Sequence, residues 1–248
     1  MGYGKWITGA IGWALGGPIG GILGYFIGSA LESNGSKGES SRKSYMPKRS
    51  FSPAEERNSY FLSLLILTSA VMKADQKVMK SELDYIKTFL TRNFGTDATV
   101  EAVKHLKELL KKDVDVKTVG AQIKRYVNKE ARLQLLYYLT GIARADGVVS
   151  AAEIRVLREI ALALELSSRE SEAIFAMFYD NTDSAYQILE IDRSASDEEI
   201  KKAYKTLAVK HHPDKVSHLG ADVQRASEER FKIISEAYEK IRKERGIV

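Results

Sequence analysis

The sharpest chemical signal in the 248 residues is His212-Pro213-Asp214, an imidazole and a carboxylate two positions apart around a proline. Pro213 cannot continue a helix and restricts its neighbour, so the tripeptide predicts a stiffened, exposed corner. Polar groups displayed on such a corner meet a partner at little ordering cost. Lys201, Lys202, Lys205 and Lys210 stand on the segment just before it. Taken singly, a lysine row is a solvated face and a His-Pro-Asp is a helix-stop turn.

A second constellation is a repeat of carboxylates. Ala74-Asp75-x-x-Val78-x-x-x-Glu82-x-x-x-Ile86 matches Ala145-Asp146-x-x-Val149-x-x-x-Glu153-x-x-x-Leu157. Asp75, Glu82, Asp146 and Glu153 have two readings. They cap turns and helix N-termini, or four carboxylates near a pseudo-twofold hold a hard cation such as Ca²⁺ or Mg²⁺. Capping needs no ligand and is the simpler reading.

Other chemistry is excluded by what is missing. With Cys 0 there is no disulfide, thiolate nucleophile, iron–sulfur ligation or cysteine zinc finger. No phosphate-cradling glycine motif, nucleophile elbow or His-Glu-x-x-His is present. His105 and His218 have no partner motif, and His211 reads as a helix-end residue. The chain is therefore expected not to be an enzyme and to carry no cofactor.

The elements that must position these groups are helical. Few prolines and abundant Leu, Ala, Glu and Lys favour helix, and no alternating strand pattern appears. Ser52-Pro53-Ala54-Glu55 reads as a capping box that opens a helix. The uncharged run Tyr60–Met72 is too short to span a bilayer and predicts a buried core helix. Further helices are predicted at about 80–93, 98–111, 116–127, 130–144, 151–165 and 168–179. Ser150-Ala-Ala-Glu153 and Ser167-Ser-Arg-Glu170 add two more capping boxes.

Towards the C-terminus, Ser196-Asp-Glu-Glu199 opens a helix with Ile200, Ala203, Tyr204, Leu207 and Ala208 on one face. Phe231, Ile234, Ala237, Tyr238 and Ile241 form a matching stripe on a second helix. Two such stripes bury each other in an antiparallel hairpin, with Ala185–Leu189 as a short covering helix.

The N-terminal part is different. Trp6–Leu31 is uncharged, and Gly12, Gly16, Gly20, Gly24 and Gly28 recur every fourth residue within it. As a helix its 26 residues would span about 39 Å, more than the roughly 30 Å of bilayer hydrocarbon. In lipid, a small-residue stripe lets two helices approach closely. This predicts a single membrane helix with a face for homodimer formation. A cleaved signal peptide fits less well, because only Lys5 precedes the apolar stretch.

Lys+Arg 38 against Asp+Glu 33 gives a net +5, which by itself suggests nucleic acid or anionic lipid. Divided by segment, residues 1–53 carry net +4, 54–182 carry +1 and 183–248 carry zero. Neither folded part is a basic body, so nucleic-acid binding is not expected. The excess follows the apolar stretch, which places the C-terminal side in the cytoplasm. The predicted organisation is a Gly-rich anchor at 1–31, a basic flexible linker at 32–53 that also lies against lipid headgroups, an all-α bundle at 54–182 and a hairpin domain at 183–248.

Residues 183–248 resemble a J domain. Tyr-Gln-Ile-Leu at 186–189, Ala-Tyr-Lys-Thr-Leu-Ala-Val-Lys-His-His-Pro-Asp-Lys at 203–215 and Phe-Lys-Ile-Ile-Ser-Glu-Ala-Tyr-Glu at 231–239 match in order and spacing. The resemblance implies that His212, Pro213 and Asp214 engage a DnaK-type chaperone and trigger its ATP hydrolysis. It also implies that Lys201, Lys202, Lys205 and Lys210 dock an acidic patch. Thr206 stands where many J domains have Arg, and the short fourth helix of the family has no counterpart before Val248.

Residues 54–180 resemble the TerB helical domain through Ala-Asp-Gly-Val-Val-Ser-Ala-Ala-Glu at 145–153 and its degenerate copy at 74–82, where Gln76 replaces the glycine. That family implies a stress-linked interaction module, sometimes proposed to bind metal. The order of anchor, TerB-like bundle and C-terminal J domain is similar to the DjlA-like family of membrane-anchored co-chaperones. That likeness implies an inner-membrane, single-pass protein with unfolded or membrane-associated clients. The family's long linker between the last two parts is missing, so the J domain is expected close to the bundle. The alternative reading is a metal- or stress-sensing module with the hairpin as scaffold.

Overall fold

Helical periodicity with repeated capping boxes dictates helices packed by their apolar faces, and the computed structural model has that architecture. It describes residues 53–178 and 184–247. The predicted anchor and its glycine stripe lie outside the described residues, as does nearly all of the linker. In chain order the helices are α1 (Pro53–Met72), α2 (Lys80–Leu109), α3 (Val116–Tyr126), α4 (Lys129–Ala143), α5 (Ala151–Ala163) and α6 (Ser168–Ala176). Then come α7 (Ser184–Ile188), α8 (Asp197–Lys210), a 3₁₀ segment (Pro213–Leu219) and α9 (Ala221–Arg245). No strand occurs among the described residues.

The bundle is built around α1 and α4. Leu62, Leu64, Leu65, Ile66, Leu67, Val71 and Met72 of α1 are buried around the whole helix, as are Leu133 through Ala143 of α4. A helix apolar on all sides must be central, and α2, α3, α5 and α6 surround this pair. The predicted helices at 80–93 and 98–111 follow one another directly within α2. The chain turns within α2 at Gly95, where φ is +81° and ψ 170°, a conformation glycine adopts without a Cβ penalty. The expected interruption is therefore a kink rather than a loop.

Side-chain caps start α3, α4, α5, α6 and α8. Asp115 accepts from the Lys117 and Thr118 N–H groups, and Asn128 accepts from Ala131 N–H. Ser150, Ser167 and Ser196 each form a reciprocal capping box with the glutamate three residues on. Each cap satisfies amide donors that the helix leaves open, typically stabilising by about 1 kcal/mol.

In the C-terminal domain the two predicted stripes meet. Ile200 and Leu207 of α8 are buried with Ile234, Ala237 and Ile241 of α9, and Tyr186, Ile188 and Leu189 close the open side. Tyr204 stacks on Tyr238 with ring centroids 4.3 Å apart and planes at 11°. Arg245 holds the far end, donating to Tyr186 Oη at 3.1 Å and Ala195 O at 2.6 Å.

The hairpin lies directly against the bundle. Val216 and Leu219 of the 3₁₀ segment and Val223 and Ala226 of α9 are buried in the same apolar core as α1 and α4. The hairpin thus has its own core at one end and shares the bundle's core at the other.

Candidate functional site

The 71-residue repeat is visible in the backbone. Met72 and Ala143 end equivalent helices, and Lys80 and Ala151 begin equivalent ones. Asp75 Oδ1 accepts from Lys77 N–H at 2.9 Å, and Asp146 Oδ1 accepts from Val148 N–H at 3.0 Å. Glu82 Oε2 accepts from Met79 N–H and Glu153 Oε2 from Ser150 N–H, each at 2.7 Å. Gln76 has φ +62° where its counterpart Gly147 has +92°. The first copy thus holds a side chain in the left-handed region that suits glycine. All four nominated carboxylates cap turns or helices. Among the described residues no group of three or more His, Asp or Glu side chains is arranged to hold a metal ion.

The two turns also sense each other. Burial pushes the Glu82 carboxyl up to about 7 against the opposing Met79 N–H bond, and the Glu153, Asp75 and Asp146 carboxylates push in the same direction as burial. Glu82 is therefore a buried acid that titrates near neutral pH.

The His-Pro-Asp corner forms where α8 stops. His211 ends the helix with its N–H bonded to Leu207 O, and His212 caps the 3₁₀ segment, its Nδ1 accepting from Asp214 N–H at 3.3 Å. Pro213 takes the first 3₁₀ position, where no donor is needed. The side chains of His212 and Asp214 retain 54% and 77% of their exposure, so both are open to a partner. The His212 ring meets Phe231 edge-on at 6.4 Å, and the two line a shallow apolar hollow with Ala208, Val209 and Lys215.

Lys201, Lys202 and Lys205 are exposed on α8, and Thr206 Oγ1 bonds back to Lys202 O at 2.9 Å. Lys210 is placed differently from those three. Its Nζ lies 2.6 Å from Glu170 Oε1 and 3.3 Å from Glu190 Oε1, with the side chain 23% exposed. Glu170 caps α6 of the bundle and also meets Lys129 at 2.9 Å. Lys215, one residue past the corner, lies 3.3 Å from Glu130 of α4. Burial raises the Glu170 carboxyl, but hydrogen bonds from Lys210, Ser167 N–H and Lys129 outweigh it and bring it down to about 2.

Behind the corner sits a group that sequence patterning did not single out. Arg230 of α9 is 1% exposed, and its Nη2 lies 2.9 Å from His211 Nδ1. A guanidinium only donates, so His211 accepts at Nδ1 and carries its proton on Nε2. Burial, the Arg230 charge and the Lys210 charge hold His211 down at about 2, which keeps the ring neutral. Arg230 faces Tyr60, Tyr137 and Tyr138 of the bundle; burial lowers its own pKa to about 10, against the opposing influence of those tyrosines. Its Nε and Nη1 have no hydrogen-bond partner. Its local sequence, Ser227-Glu-Glu-Arg230-Phe-Lys232, is mostly polar and gives no cue to that burial.

Comparison with known proteins divides the chain in the same order. Residues 61–176 match the family described as Tellurite resistance protein TerB. Residues 184–246 match the DnaJ domain, and residues 1–41 the Co-chaperone DjlA transmembrane domain. A Co-chaperone protein DjlA of Vibrio cholerae is 28% identical over 233 residues, covering 79% of this chain and 81% of the relative. A Co-chaperone protein DjlA of Photobacterium profundum is 25% identical over 283 residues, covering 98% and 99%. A Chaperone protein DnaJ of Leptothrix cholodnii is 54% identical over 54 residues, 22% of this chain and 13% of the relative. No solved structure matches. Among the described residues no helix is long and apolar enough to cross a membrane.

Proposed function

Because this chain is a DjlA-like J-domain co-chaperone with a TerB domain, we propose that it recruits a DnaK-type chaperone at the inner membrane and stimulates its ATPase through His212, Pro213 and Asp214. The observation that carries this reading is the exposed corner. His212 and Asp214 project from a backbone that α8, Pro213 and the 3₁₀ segment hold stiff. Lys201, Lys202 and Lys205, exposed one to three turns back on α8, supply a cationic face for an acidic partner surface. The chain performs no chemistry of its own in this reading. It biases the chaperone towards its client-holding state by binding that state better.

In the same reading residues 1–31 anchor the chain, the 32–53 linker lies near anionic headgroups, and the domains at 54–182 and 183–248 face the cytoplasm, where ATP and the chaperone are. The stripe from Gly12 to Gly28 pairs two anchors. Unfolded or membrane-associated proteins are the clients, and the bundle is the module that meets them.

The test is steady-state ATP hydrolysis by a purified bacterial DnaK, with the full chain in lipid vesicles. Wild type raises the rate; Asp214→Asn and His212→Gln keep the helical signal and melting temperature but lose the stimulation. Stimulation that survives both substitutions sinks the proposal. Protease added to right-side-out and inverted membrane vesicles tests orientation, and cleavage within 54–248 in inverted vesicles alone is the expected result.

A further inference from the structure

We infer that the bundle is an intramolecular competitor for the acidic chaperone surface: Glu170 and Glu130 occupy Lys210 and Lys215, the two cations that bracket the His-Pro-Asp corner. The inference rests on the co-chaperone reading above and adds a regulation to it.

The geometry is specific. Lys210 is the last residue of α8 and Lys215 is in the first turn of the 3₁₀ segment, so they flank His212 and Asp214 on both sides. Each reaches a carboxylate in the first turn of a bundle helix, Glu170 of α6 at 2.6 Å and Glu130 of α4 at 3.3 Å. Glu170 is 4% exposed and also bonded by Ser167 N–H, so its carboxylate cannot swing away as a surface side chain would. The hairpin's placement is fixed independently by Val216, Leu219, Val223 and Ala226 in the shared core. Lys210 and Lys215 therefore meet an acidic chaperone already partly neutralised, whereas Lys201, Lys202 and Lys205 lie outside this contact.

Two consequences follow from mass action. The concentration of chaperone needed for half-maximal stimulation is raised by whatever it costs to give up the internal pairs. The plateau rate is unchanged, because His212 and Asp214 stay exposed in the docked arrangement.

The experiment uses the full chain in vesicles and titrates a purified DnaK while ATP hydrolysis is followed. Glu170→Gln keeps an amide that can still cap Ser167, and Glu130→Gln is its partner variant. Each lowers the half-saturating concentration about threefold, and the pair lowers it about tenfold at unchanged plateau. Lys210→Gln raises half-saturation more in the Glu170→Gln chain than in the wild-type chain, a non-additivity that marks direct coupling. Glu172→Gln, which removes an equal charge from a carboxylate paired with Arg158 at 3.1 Å, leaves the curve in place. An unchanged half-saturation in both Gln variants, or an equal shift in Glu172→Gln, overturns the inference. If Glu170→Gln does not fold, Glu130→Gln alone decides. Failure of the co-chaperone reading itself looks different, since wild type then gives no stimulation to titrate.

Discussion

Arg230 and His211 share one hydrogen bond, 2.9 Å from Nη2 to Nδ1, in a site where both side chains are closed to water. The pair sits one residue behind the His-Pro-Asp corner and in front of the bundle's Tyr60, Tyr137 and Tyr138. A buried guanidinium with no carboxylate partner forgoes most of its hydration. Its net contribution to stability is therefore small, and its packing volume accounts for most of what it does.

This predicts different outcomes for two truncations. Arg230→Ala opens a cavity and orphans His211 Nδ1, lowering the unfolding free energy by about 3 kcal/mol. Arg230→Met fills the volume without the charge and recovers at least half of that loss. Urea unfolding of the full chain is the measurement, and equal destabilisation by Ala and Met would show that the charge itself matters.

His211 supplies a pH dependence. Its folded value is held near 2, well below the ordinary histidine range. A depressed group stabilises the fold above its unfolded pKa of about 6.5 and loses that contribution as the pH falls below it. The melting temperature should drop on going from pH 7 to pH 5, and His211→Phe should flatten that segment of the profile.

Glu82 acts in the opposite direction. Its folded value of about 7 lies above the ordinary 4.5. The protonated form is favoured in the fold, so its stabilising contribution is complete below pH 4.5 and is lost as the pH rises through 7. Glu82→Gln retains an acceptor for Met79 N–H and should raise stability at pH 8 by about 1 kcal/mol, with no gain at pH 4. Thermal melts at the two pH values decide this; a gain that is the same at both would remove the titration from the account.

The α3–α5 contact yields a packing prediction. A Cβ on Gly120 would stand 2.5 Å from Ala163 Cβ and 2.6 Å from its carbonyl oxygen. Backbone atoms of a packed helix cannot yield cheaply, so Gly120→Ala should cost about 1–3 kcal/mol although alanine is the better helix former. A melting temperature unchanged or raised by Gly120→Ala would contradict so close an approach.

Much of the architecture follows from local rules. Ser150, Ser167 and Ser196 announce helix starts because a hydroxyl three residues before a glutamate is a self-contained structure that needs no distant partner. The stripes of α8 and α9 were legible for the same reason, since helical periodicity reports which face must be buried. The interruption expected between 93 and 98 falls at Gly95, whose non-helical φ of +81° and ψ of 170° turn the chain at a single residue.

By itself, then, the sequence determined the all-α class, the order of the parts, the repeat of Asp and Glu caps and the exposed corner at His212–Asp214. All of these depend on contacts within one helix, one turn or one hairpin. Only the tertiary structure decided that Lys210 and Lys215 belong partly to the bundle, and that an arginine on α9 is buried among tyrosines of α1 and α4. Those pairings join residues 40 to 170 positions apart across a shared core. No periodicity encodes them, because a lysine facing a carboxylate on another domain and a lysine facing water have the same local sequence.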